Sequence, residues 1–204
     1  MRFFIVILKN LLRRPTRSLL TLIGVAVGIG AVVALTSIAS GFERSWEQAY
    51  TARGTDLGVT KITSQSPMPT AFSTSSLDSI RGIEGVASAA GVLSDFMSVE
   101  EAPGLIVFGW EPGDFLWDHL RLTAGSWPAN GKHALALGTV AAELLQKKVG
   151  STVQIEFEEF TVSAIFESSA MVENAAIIMP LADLQRATER EGRINFINIK
   201  LKKL

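Results

Sequence analysis

The chain has no cysteine. That excludes a disulfide framework, a thiol nucleophile and any cysteine-ligated metal, but it leaves the compartment open, since zero cysteine suits an oxidising periplasm as well as a cytosol. Histidine is nearly as scarce. His119 and His133 are the only two, they fall in unrelated turns, and no H-x-x-x-H pair exists to hold a metal. The phosphate-cradling G-x-x-x-x-G-K-[ST] run is missing, and so are the G-x-S-x-G and S-x-x-K patterns of serine hydrolases. The adjacent acids Glu100-Glu101 and Glu158-Glu159 fall at turns, where solvated charge is the ordinary reading and an acid/base pair the strained one. The expectation is a chain that is no enzyme, with no catalytic, metal-binding or cofactor-binding residues of its own.

Charge is also missing from one long stretch. From Ser18 through Phe42 there is no charged residue, a run of 25. A helix of that length reaches roughly 37 Å at about 1.5 Å per residue, more than the ~30 Å hydrocarbon core of a bilayer. Eleven residues between Leu19 and Ala39 are Leu, Ile or Val. On an insertion scale they favour membrane by about 3 to 7 kcal/mol in total, where one central Arg would cost about 2.5 to 3.5. The stretch therefore reads as a transmembrane helix over residues 16–42. A cleaved signal peptide is the competing reading, with Ser37 and Ala39 as its small residues. The apolar region is about twice the usual 7 to 15 residues of such a signal, which favours an uncleaved anchor.

Acid is absent from the first 17 residues, which carry Arg2, Lys9, Arg13, Arg14 and Arg17. These basic side chains are the candidate membrane-surface residues. By the positive-inside bias they put the N-terminus in the cytoplasm and everything from about residue 43 outside. With a whole-chain net charge of −1, the part after residue 17 carries −6. A basic tail and a mildly acidic exterior suit a membrane protein and argue against a nucleic-acid partner.

Residues 2–14, RFFIVILKNLLRR, place Phe4, Ile7, Leu8, Leu11 and Leu12 at helical spacing. Residues 1–15 thus read as an amphipathic helix on the cytoplasmic surface, the alternative being an extension of the span. Pro15 favours a break between the two. Inside the span, Thr21, Gly24, Gly28 and Ala31 recur every three or four residues and line one face, a candidate helix-packing face of the small-xxx-small kind. The competing reading is that Gly and Ala are simply common in membrane helices. No second span follows in this sequence, so the partner for that face would come from elsewhere.

Beyond Phe42 the helix is expected to continue to Ala52 and stop at Arg53-Gly54. Strands are expected at residues 57–63, 86–93, 104–110, 134–137, 152–157, 160–166, 175–179 and 194–201. Helices are expected at residues 76–80 and 139–147 and from Pro180 to about Arg190, with a loop at 64–75 and turns at Gly125, Gly131 and Glu158-Glu159. Mixed strands and helices with hairpins point to an α+β domain over residues 43–204. Trp110, Phe115, Trp117 and Trp127 are candidate partner-binding aromatics, set against the plainer reading that they are core.

Several stretches together carry a family pattern. LKNLLRRPTRSLLTLIGVAVGIGAVVAL resembles the first helix and span of MacB/FtsX-type ABC transporter permeases. IRGIEGVASAAG, VFGWEPGDF, LTAGSWP, LALGTVAAELLQKKVGSTVQI, FTVSAIFES and IIMPLADLQ follow in the order of a MacB-like periplasmic core domain. The resemblance implies an inner-membrane permease subunit that pairs with a second permease subunit and with a cytoplasmic ABC ATPase, which binds the ATP. It also admits a periplasmic membrane-fusion protein as partner. The family has four spans, and spans two to four are not in this sequence, which is expected to be a fragment, a split permease or a remnant. Part of the exterior domain is also expected to be missing or shortened. The alternative function is a single-span anchored module that docks an envelope protein without transport of its own.

Overall fold

The computed structural model describes residues 14–63, 66–100 and 102–202. The amphipathic helix expected over residues 1–15, with Arg2, Lys9 and Arg13, lies almost wholly outside the described residues. Arg14 and Arg17 are described and exposed. The chain divides into two compact units, residues 1–44 and 45–204.

The first unit is built on helix α1, Pro15–Ala52, which runs 38 residues without interruption. Proline at its first position needs no N–H there and brings a helical φ. The helix is long and apolar enough to cross a membrane. Its Leu, Ile and Val side chains stand uncovered from Leu19 to Ile38. The hydroxyls of Thr21 and Thr36 bond back to Arg17 O and Val32 O, each at 3.0 Å, so these polar groups are satisfied within the helix as a lipid environment demands. Nothing lies within 4 Å of a Cβ built on Gly24 or Gly28, which leaves the Thr21, Gly24, Gly28 and Ala31 face open to close approach.

The second unit begins with the last turns of α1, from Ser45, and then folds as a mixed sheet. Its strands are β1 (Leu57–Thr63), β2 (Ser66–Thr70), β3 (Phe72–Ser73), β4 (Val86–Val99), β5 (Ala102–Trp110), β6 (Arg121–Gly125), β7 (Ala134–Gly138), β8 (Thr152–Ile155), β9 (Glu158–Glu167), β10 (Ile177–Pro180), β11 (Arg193–Ile194) and β12 (Phe196–Leu201). Its helices are α2 (Ser75–Arg81), α3 (Thr139–Leu145), α4 (Met171–Asn174) and α5 (Leu181–Ala187), with a 3-10 turn at Phe115–Trp117. The main sheet runs β2-β1-β12-β4-β5-β10-β7-β9-β6. The β5–β10 and β7–β9 pairs are parallel and the other pairs antiparallel. Strand β8 pairs with β9 and reaches β4 through Val99 and Ile155, so the sheet curls round until its pairings meet.

Strand alternation builds two apolar layers. Leu135, Leu137, Ile177, Met179, Leu93 and Val107 face one way, under α2, α3 and α5. Ala136, Ile178, Val92, Phe108 and Trp110 face the other, under the 3-10 turn. Both layers bury β7 and β10 completely.

The expected elements exist, with several shifts. β4 continues to Val99 through an irregularity near Met97, well past the expected end at Leu93. The Pro-containing residues 66–70 form β2 at the sheet edge, the one place where proline sits easily in a sheet. A strand, β6, stands where a turn was expected. The β8–β9 turn falls at Glu156-Phe157, with Glu156 at φ 52, so Glu158-Glu159 open a strand instead of joining two. The short helix α4 was not expected, and the helix after Pro180 stops at Ala187 rather than near Arg190.

Candidate functional site: the joint at the end of the long helix

The last turns of α1 end inside the second unit's own core. Ala49 is fully buried against Ala170 and Val172, which flank the start of α4. The Val172 backbone N–H donates to Ser45 Oγ at 3.0 Å. One turn on, Arg53 follows the helix directly and is 4% exposed, while Glu173 of α4 is fully buried. Arg53 Nε donates to Glu173 Oε1 at 2.7 Å.

Glu173 is shared. Its second oxygen, Oε2, lies 2.8 Å from His119 Nε2 and also accepts from the Ser168 hydroxyl. An ionised carboxylate only accepts, so His119 Nε2 is the donor in this pair. Burial alone would push the Glu173 carboxyl up. The His119 hydrogen bond, the Arg53 charge and the Ser168 hydroxyl together hold it below its ordinary value of 4.5. Taking two charges out of water is costly, and breaking such a pair by removing one member typically costs about 3 to 5 kcal/mol because the other is stranded.

The sequence prepares this site locally. Asn174 Oδ1 accepts from Ser168 N at 2.7 Å and its Nδ2 donates to Ser168 O at 2.8 Å, which ties residues 168–174 into a closed loop. Ser168 Oγ in turn accepts from Ala170 N at 3.1 Å. Both ends of the segment that carries Glu173 are therefore fixed by bonds that do not involve Arg53.

Aromatic rings surround the guanidinium. Arg53 Cζ lies 4.9 Å from the Trp110 ring centre, 5.3 Å from Phe108 and 5.7 Å from Tyr50. Trp46 stacks on Tyr50, which stacks on Phe196. Burial pushes the Tyr50 phenol up, against the lowering pull of Arg53. Beside these rings runs an apolar groove of about 270 Å³, lined by Trp46, Tyr50, Phe108, Phe196, Phe96 and Pro69 among others.

The residues singled out in the sequence fare differently. Trp110 is fully buried and Trp117 is 7% exposed, so neither offers a docking face. They pack edge to face at 5.4 Å as part of the second layer, and the expectation that they bind a partner is corrected to a core role. Phe115 and Trp127 are half-buried against the same layer. His119 and His133 are not brought together. Among the described residues no group of three or more His, Asp or Glu side chains is arranged to hold a metal ion. Glu173 and its link to His119 were missed. The available signal was that Glu173 is the lone charge between Glu167 and Asp183. An isolated acid in an apolar run is a candidate for burial with a partner.

The sequence model of the MacB-like periplasmic core domain family matches residues 18–203. The chain belongs to that family. Solved structures agree on the fold. The extracellular domain of the noncanonic ABC-type transporter YknZ from Gram-positive bacteria aligns with a TM-score of 0.55 at 13% identity, over 72% of this chain and 82% of that one. The periplasmic region of MacB from Actinobacillus actinomycetemcomitans aligns with a TM-score of 0.53 at 13% identity, over 74% and 78%. No curated protein sequence is a significant match. As a MacB-like core domain, the second unit thus carries a helix, α1, whose closing turns are part of its own buried structure.

Proposed function

We propose that this chain is the membrane component, a permease subunit or its N-terminal part, of a MacB/FtsX-type ABC transporter. The observation that carries the reading is the combination of a MacB-like periplasmic core domain with an apolar helix whose last turns are built into it. On this reading α1 crosses the inner membrane with its N-terminus in the cytoplasm, and residues 43–204 work outside. A partner ABC ATPase binds and hydrolyses ATP, a second permease subunit supplies neighbours for the Thr21, Gly24, Gly28 and Ala31 face, and a periplasmic membrane-fusion protein is the further partner. The chain itself performs no catalysis and holds no cofactor. Its part is mechanical: it passes movement from the ATPase side to the exterior domain for export or for work on the envelope.

Affinity purification of the full chain from native membranes in mild detergent tests this. The expected result is co-elution of an ABC ATPase carrying a Walker motif, in comparable amount. Recovery of the chain with envelope proteins alone would favour an anchored docking module.

A further inference from the structure

The joint buries a paired cation and anion, Arg53 and Glu173. Well-packed apolar residues in place of a buried ion pair are often as stable or more so, so a pair such as Arg53 and Glu173 is weak as a stabiliser and strong as a specifier of one seating. Here the pairing is also uneven. Glu173 gives Oε1 to Arg53 alone and Oε2 to His119 and Ser168. If Arg53 withdraws, the carboxylate keeps two of its three partners and its position on α4, which Asn174 and Ser168 fix independently. Arg53, for its part, follows the helix directly and precedes Gly54, whose φ of 64 closes the helix end ahead of β1.

We infer that Arg53 and Glu173 form a releasable latch, which seats the closing turns of α1 on the exterior domain and can open while that domain remains folded. His119 and Ser168 are the holding groups on the domain side, and Arg53 is the moving bolt. The β5 rings of Phe108 and Trp110 set the seated position of the guanidinium by cation–π contact. The use of the latch rests on the transporter reading, in which a helix must transmit movement to the domain. Its existence does not.

Hydrogen exchange read by mass spectrometry on the full chain in lipid nanodiscs tests the latch directly. In Arg53→Met, which keeps an apolar stem among the rings but has no charge, amides of residues 45–56 should exchange at least about tenfold faster, while those of β4, β5 and β7 stay within about twofold of wild type. Arg53→Lys, still cationic, should recover most of the protection, and Glu173→Gln, which keeps an acceptor, should show the Met pattern in weaker form. Acceleration spread evenly over β4, β5 and β7, or a variant that fails to fold, would make the pair a core stabiliser and overturn the latch. Unchanged exchange at residues 45–56 would overturn it as well. None of these measurements involves ATP or a partner, so the latch and the transporter reading stand or fall separately.

Discussion

With two oxygens divided among Arg53, His119 and Ser168, Glu173 stays ionised at a place where burial opposes charge. The sign of its pH effect follows. The carboxyl sits below its ordinary value of 4.5 in the fold, so the stability it contributes is complete above about pH 4.5 and is lost as the pH falls through the lower folded value. The thermal midpoint of the full chain should therefore drop on acidification below that point, and Glu173→Gln should flatten that acid limb. A limb equally steep in both proteins would remove Glu173 from the account. At this scale the sequence is hard to read. Arg53, His119 and Glu173 are far apart along the chain, and only the fold brings them together. The Trp residues show the opposite difficulty: large rings are conspicuous in a sequence, yet burial turns Trp110 and Trp117 into packing material.

Elements were more legible, for reasons of periodicity. The alternation in residues 194–201, the short apolar run at 134–137 and the long one of α1 each announce a type of structure from local pattern alone. β2, β6 and α4 do not, because they exist through their neighbours: β2 and β6 are edge strands held by one partner each, and α4 is a single turn held by Asn174. The contact between β7 and α4 is a close one. A Cβ on Gly138 would lie 2.3 Å from the Asn174 carbonyl oxygen and 2.5 Å from that of Glu173. Both are backbone atoms, so a side chain there must push α4 off the sheet. Gly138→Ala should destabilise the domain by about 1 to 3 kcal/mol in denaturant unfolding. The same change should weaken protection at residues 45–56 through the displaced Glu173. Wild-type stability in this variant would mean that α4 is not pinned to β7 as described.

At the scale of the whole chain, the family match and the mixed sheet place it with the exterior domains of ABC-type permeases. The fold class was open to inference because ordered short motifs, each weak alone, recur in one sequence. The curl of the sheet through β8 was not, since it rests on a single pair between Val99 and Ile155. The central claim is that α1 spans the inner membrane and that the core domain works outside. The absence of native cysteine makes this cleanly measurable. Single cysteines placed at Thr16, ahead of the apolar run, and at Phe157, which is 95% exposed on the β8–β9 turn, can be challenged in spheroplasts with a membrane-impermeant maleimide. The account predicts rapid labelling at position 157 and labelling at position 16 only after lysis. Labelling at position 16 with protection at 157, or release of the domain from the membrane without its helix, would contradict it.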